Sequence, residues 1–246
     1  MKRLERIHYS TTTSTNIRAK EMAEQGAKEL TVITADRQSE GKGQNGRTFF
    51  SEGGLYMSVI LRPQSDVSFE DLSLLTLYAA TCVLKALKKH FPTPLGIKWV
   101  NDILSREGKV CGILTETTLS ADSGSVDYSI VGIGINLGKI DFPHELKEIA
   151  ASLETDKLRL PKIRDRLVRQ ITKRLSRYRT ELKKRRFLDY YRANCVIMDQ
   201  KITVHPHSGE DPYEATVLGV SDDGGLMTVS RHGAVILRSA DVSVEY

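Results

Sequence analysis

Three cysteines in 246 residues, Cys82, Cys111 and Cys195, are too few and too widely separated for a disulfide framework, and without CxxC spacing they form no zinc ligand set. They read as reduced, mostly buried thiols. The six histidines are scattered without ligand spacing, so no metal is assigned to imidazole. Long apolar runs are missing too. No window approaches the ~18 to 20 apolar residues of a membrane span, and MKRLERIHYS at the start has no apolar stretch of signal-peptide length. A cytoplasmic protein that touches no membrane is expected. Internal repeats, low-complexity tracts and flexible linkers are also absent.

The hydrophobic content of 40% suits a soluble chain that buries a real core, and the length allows one large domain and one small one. The net charge of +5 would suggest a nucleic-acid partner if it were evenly spread, but it is not. Residues 157–192 hold 15 Lys+Arg against 3 Asp+Glu, a local +12 that leaves the rest of the chain at −7. Within that segment Ile163, Leu167, Ile171, Leu175, Tyr178 and Leu182 recur at steps of three and four. This spacing predicts an amphipathic helix whose wet face is basic, either simply solvated or a docking surface for an acidic domain or nucleic acid.

Elsewhere, Ser14 and Thr15 are predicted to cap a helix over 16–25 closed by Gly26, and 30–35 and 55–61 read as buried strands. Ser68 with Asp71 resembles a capping box opening one long helix to about His90, stopped by Pro92 and Pro94. Strands are expected at 96–100, 109–117 and 128–136. The fold class is therefore α+β with a mixed sheet. After about Cys195 the texture changes to short alternating strands (201–204, 213–220, 226–230, 234–237 and 242–246) split by Gly209, Gly224, Gly225 and Gly233. That pattern predicts a small antiparallel β-barrel over 195–246, SH3-like in size, packed directly on a first domain of 1–194.

The chemistry-bearing motifs lie in the first domain. GKGQNGR (41–47) offers glycines for close backbone approach to an anion, with Lys42 and Arg47 as cations. It lacks both the Walker ending and the context of a dinucleotide fold, and alone it could equally be a surface hairpin. In KWVND (98–102) a strand pattern puts Lys98 and Val100 on one face and Trp99 on the other, and delivers Asn101 and Asp102 at the end. That pair could share a nucleotide-bound Mg²⁺ or could be an ordinary Asn-Asp turn. Lys109, opening KVCGILTE with Gly112 inside it, either snorkels to solvent or stands between a carboxylate and a phosphate. In the latter position one contact contributes about 4 kcal/mol of Coulomb attraction before desolvation. In VGIGINL (131–137), Gly132, Gly134 and Asn136 share a face that is almost bare backbone. It would admit a flat ligand or a closely packed helix.

The order and spacing of STN (14–16), DRQSEGKGQNGR (36–47), LYMSVILR (55–62), KWVND, GKVCGILTE and GIGIN resemble the biotin protein ligases over essentially the whole chain. The likeness is to the short form, which lacks an N-terminal helix-turn-helix, so no DNA binding is expected. The resemblance implies a mixed-sheet catalytic domain of the biotin/lipoate ligase type and a two-step reaction. Biotin and MgATP form biotinyl-AMP and pyrophosphate, and a lysine of a biotin carboxyl carrier domain then takes the acyl group. It also implies that Ser14, Thr15, Asn16 and Gln38 bind biotin, with Gly41, Lys42, Gly43 and Gln44 as the loop over it. Lys98, Asn101, Asp102 and Asn136 would serve ATP, Asp102 with its Mg²⁺, and Trp99, Gly112 and Gly134 would be further binding residues. Lys109, aided by Lys42 and Arg47, would be the catalytic cation, and a homodimer is compatible with the family.

The loop departs from the family's arginine-rich GRGRRGR at Lys42, Gln44 and Asn45, Val100 stands where proline is common, and Phe49-Phe50 replaces a tryptophan neighbourhood. A loop with less charge predicts weaker retention of the adenylate. Two rivals remain: a lipoate or octanoate ligase or transferase of the same fold, and a non-catalytic basic RNA-binding module.

Overall fold

Seven strands form one mixed sheet because runs of β-branched residues alternate with small or polar ones, and two helical layers cover its faces. The computed structural model describes residues 5–63, 67–120, 125–231, 233–239 and 241–245. The chain enters through β1 (Arg6–Thr12), crosses by α1 (Thr15–Glu24) and returns as the parallel β2 (Val32–Gln38), a βαβ unit at one edge of the sheet. The remaining pairings are antiparallel: β3 (Glu52–Leu61), β4 (Gly96–Lys98), β5 (Asp102–Ser105), β6 (Gly108–Leu119) and β7 (Val126–Ile135) complete the order β1-β2-β3-β7-β6-β5-β4.

Period-two alternation in β7 divides the two layers. Val131, Ile133 and Ile135 join the large core under α3 (Leu75–Leu87) and α4 (Leu160–Leu175). Tyr128 and Ile130 face the other way, packing with Ala19 and Ala23 of α1 and with Ile33 and Ile60. Gly132 and Gly134 share that second face. In register, Gly134 lies opposite Gly112 on β6 and Tyr56 on β3, so glycines pave the centre of the sheet.

The helices are more broken than the periodicity predicts. Ser68 does accept from the Asp71 amide, as a capping residue should, but the helix it opens, α2 (Phe69–Ser73), stops at Leu74 before α3 begins. The basic segment likewise divides into α4, α5 (Tyr178–Lys184) and α6 (Phe187–Ala193), with Arg185 left-handed at φ 54° ending α5. These breaks let α3 contact α4, α5 and α6 in turn, which one straight helix could not do. At α1, Ser14 holds the N-cap position, yet its side chain makes no capping bond.

Two strands, β1 and β5, are not predicted by apolar alternation. The reading of KWVND is corrected as well. β4 ends at Lys98, a cis Trp99–Val100 peptide follows, and Val100 and Asn101 lie in a turn, so Lys98 and Val100 do not share a strand face.

The C-terminal strands β8 (Lys201–Pro206), β9 (Tyr213–Val220), β10 (Leu226–Ser230), β11 (Gly233–Leu237) and β12 (Val242–Glu245) form an antiparallel sheet ordered β11-β10-β9-β8-β12. The expected end of the last strand, Tyr246, lies outside the described residues. Among those described, β11 and β12 remain as edges, so this unit is an open five-stranded sheet rather than a closed barrel. Ile202, Val204, Ala215, Val217 and Leu226 belong to the same core cluster as Trp99 and Val100, so the two sheets share one apolar interior. The buried Trp99 indole N–H donates across to Gly224 O at 3.0 Å. Trp99→Phe orphans that carbonyl and is expected to cost about 1–3 kcal/mol of stability. A lowered midpoint in far-UV circular dichroism melts checks this; because Trp99 is the sole tryptophan, its fluorescence is lost with it.

Candidate functional site

A cleft of about 870 Å³ opens on the glycine-paved face, lined by loop 42–50, the start of α1, the ends of β4 to β7 and the edge strand β12. Of the residues singled out from the sequence, all but Gly41 line it. Gly41 shapes the loop instead: a Cβ there would sit 2.3 Å from Phe49 O.

One end of the cleft is polar and uncharged. The Thr15 amide donates to Gln38 Oε1 at 2.7 Å, and Gln38 Nε2 donates to Ser51 Oγ at 2.9 Å. Ser58 Oγ lies 2.6 Å from Asn16 Oδ1 and 2.8 Å from Thr15 Oγ1. An amide oxygen can only accept, so the Ser58 proton goes to Asn16 and Thr15 donates to Ser58. Asn16 Nδ2 in turn donates to Glu116 Oε2 at 2.6 Å. Such a chain fixes which way each donor and acceptor points before any ligand arrives. Asn16 fits there because Gly132 lies beneath it, where a Cβ would meet Asn16 Oδ1 at 2.0 Å.

The other end is cationic. Lys109 Nζ lies 2.8 Å from Asp102 Oδ1, an ion pair made off the hydrogen-bond direction, since that oxygen has no directed partner. Lys98 stands nearby, and burial holds its ammonium below the usual lysine range, with Asp102 pulling the other way and Lys109 pushing it further down. Asn101 Nδ2 donates to Ile113 O at 2.8 Å and so braces the turn. Asn136 is 4% exposed and donates to Lys109 O and Ala151 O, which leaves its Oδ1 buried without a partner. A buried orphan acceptor costs about 1–3 kcal/mol unless a ligand donor completes it.

Between the two ends lies Phe49, whose role the sequence did not disclose. Its ring covers the glycines: a Cβ at Gly134 would come within 2.6 Å of it and one at Gly112 within 3.0 Å. Lys109 Nζ lies 5.8 Å from the ring centroid, within cation–π range. The bare face is therefore furnished by Phe49 and Asn16 rather than left open. Ser58 and Glu116 were missed as well. The only signal for them was strand register, which places Ser58 opposite Gly132 and Glu116 two residues past Leu114, Gly132's partner on β6.

Loop 41–47 is a closed turn. The Gly43 amide donates to Arg47 O at 2.7 Å, Lys42 bridges Thr48, and Asn45 is left-handed at φ 54°. Asn45 Nδ2 lies 3.2 Å from His207 Nε2, so the loop tip touches the turn after β8.

Among the described residues no group of three His, Cys, Asp or Glu could hold a metal by itself. Asp102 is a single carboxylate, which fits a magnesium ion that is held mainly by phosphate oxygens and water. No helix among the described residues is long and apolar enough to cross a membrane.

The model of the Biotin/lipoate A/B protein ligase family matches residues 6–136. The "Bifunctional ligase/repressor BirA" of Bacillus subtilis (strain 168) is 40% identical over 151 residues, covering 60% of this chain and 45% of that protein. The chain thus spans about half the length of the Bacillus relatives it matches. The "Biotin--[acetyl-CoA-carboxylase] ligase" of Mycobacterium tuberculosis is 28% identical over 220 residues, 85% of this chain and 76% of that one. Among solved structures, a biotin protein ligase from Aquifex aeolicus in complex with biotin and ATP is similar at a TM-score of 0.78 and 28% identity, covering 98% of each chain.

Proposed function

We propose, from the premise that this chain belongs to the biotin/lipoate A/B protein ligase family, that it activates biotin with ATP and passes the acyl group to a lysine of a biotin carboxyl carrier domain. The observation that carries this reading is the two-ended cleft. An orientated set of neutral donors and acceptors suits a ureido ring, and a cluster of cations beside an orphan amide oxygen suits a nucleotide. The named relatives that act on or are complexed with biotin support the choice of acid.

In the first step a biotin carboxylate oxygen attacks the α-phosphorus, the bond to the bridging oxygen breaks and pyrophosphate leaves. In the second, the carrier amine attacks the acyl carbon, loses a proton and expels AMP. Ser14, Thr15, Asn16 and Gln38 hold the ring under a loop built from Gly41, Lys42, Gly43 and Gln44. Trp99, Gly112 and Gly134 form the nucleotide wall, and Asn136 Oδ1 accepts from an adenine amino group. Lys109, with Lys42 and Arg47, stabilises the negative charge that develops between carboxylate and phosphate. Asp102 would hold Mg²⁺ jointly with phosphate oxygens, and the metal would supply charge neutralisation on the leaving pyrophosphate. We treat 1–194 as the ligase unit and 195–246 as a second unit that closes the cleft.

Incubating the purified chain with ATP, magnesium and either biotin or lipoate, then with a carrier domain, tests this by mass spectrometry. Labelling with biotin is expected; exclusive labelling with lipoate would replace the substrate, and neither would remove the reaction. Lys98 yields a pH test. Its lowered pKa makes it neutral at lower pH than an ordinary lysine, so kcat/KM for ATP is expected to fall as pH rises through that value. Lys98→Arg stays protonated, and its pH profile should lose this limb. With Gln44 and Asn45 in place of arginines, the loop is also expected to release free biotinyl-AMP faster than arginine-rich relatives. Single-turnover trapping measures that release.

A further inference from the structure

The basic stretch between 157 and 192 takes no part in the proposed reaction, yet folding orders its charges. Along α4 and the turn after it, Lys162, Arg166, Arg169, Lys173 and Arg177 recur at steps of four, three, four and four, and all are exposed. Steps of three and four keep them on one helix face, while Leu167, Val168, Ile171 and Leu175 are buried on the other. At 1.5 Å per residue the stripe runs about 22 Å. Of the five, only Arg169 is in an ion pair among the described residues, with Asp165 at 2.9 Å, and Asp165 is shared with Arg6. The local field is felt by His90, which burial first, and then Arg166 and Lys89, hold below the usual imidazole range.

We propose, against the expectation of no DNA binding, that this stripe binds the phosphate backbone of duplex nucleic acid without reading its sequence. Three observations favour a polyanion over an acidic protein. First, a protein interface usually centres on buried apolar anchors, and no large exposed hydrophobic lies between Lys162 and Arg177. Secondly, the stripe is linear, and over its length one DNA strand presents about six phosphates at ~3.4 Å each. Thirdly, α4 packs on α3, on the sheet face opposite the glycine-paved cleft. An acceptor delivering its lysine to Lys109 would leave this stripe uncovered. The surface therefore works independently of the ligase site, and both can be occupied at once.

Neutralising four phosphates gives a slope of log affinity against log salt of about −3.6, a loss of roughly 150-fold between ~50 and ~200 mM salt. Fluorescence anisotropy of a short fluorescein-labelled DNA duplex of arbitrary sequence, titrated with the full chain, reads this directly. The wild-type protein should bind with that slope, and Lys162→Glu/Arg166→Glu/Lys173→Glu should weaken binding more than tenfold while acyl-adenylate formation stays at the parental rate. If circular dichroism shows the triple variant misfolded, Lys173→Glu alone carries the test with a several-fold loss. No binding at ~50 mM salt, or undiminished binding by a folded variant, overturns the proposal. So does displacement of the duplex by polyglutamate at equal charge, which would assign the stripe to an acidic protein.

Discussion

Lys109→Ala is expected to slow acyl-adenylate formation by about 10²- to 10³-fold, the usual cost of removing one preorganised group that meets charge developing in a transition state. The reason is positional. Lys109 is held by Asp102 at 2.8 Å and lies beside the Phe49 ring, so its ammonium is already placed between the two ends of the cleft. Removing it also strips Asp102, 20% exposed, of its closest counter-ion, so that this carboxylate repels the entering phosphates more strongly. ATP affinity should fall together with the rate. Biotin-dependent exchange of labelled pyrophosphate into ATP measures the first step alone, and Lys109→Arg should recover part of it. Exchange at the parental rate in Lys109→Ala would remove this residue from the mechanism.

Gly132→Ala should have the second-largest effect, and at the opposite end of the cleft. The added methyl would lie 2.0 Å from Asn16 Oδ1 and 2.7 Å from its Cγ, and Asn16 cannot retreat without breaking its bonds to Glu116 and Ser58. Overpacking of this kind costs about 1–3 kcal/mol. The orientated polar set would be disturbed with it, so KM for biotin should rise at least tenfold while nucleotide binding changes little. Combining Gly132→Ala with Asn16→Ala relieves the clash and should recover part of the lost thermal stability but not biotin affinity. If Gly132→Ala alone binds biotin normally, the STN end of the cleft is not the acid's site.

The fold was legible where burial is strongest. The strands at 55–61, 213–220 and 226–230 carry their apolar pattern openly and appear where it places them. The first strand, RIHYSTT, does not: it is an edge strand with only one fully buried residue, so no alternation marks it. The helix breaks at Leu74 and Arg185 were hidden for a different reason. Apolar periodicity continues through both, and only the need of α3 to meet three partners decides where the chain turns.

For the site, the motifs announced the residue types and their order along the chain. They could not show that Phe49 covers the glycines at 112 and 134, since a ring filling a sheet face leaves no local pattern. Nor could they show Glu116 behind Asn16, a hydrogen bond between residues 100 positions apart.

By itself, then, the sequence determined which backbone positions had to be bare, which strands had to be buried and which ionisable groups were available, because glycine spacing, apolar period and charge are local properties. Only the tertiary structure decided how those groups meet. It set the Lys109–Asp102 pair, the Ser58–Asn16–Glu116 chain, the reach of Asn45 to His207 and the separation of the basic stripe from the cleft. Each depends on strand register and on which face a layer occupies, and both follow from packing the whole chain at once.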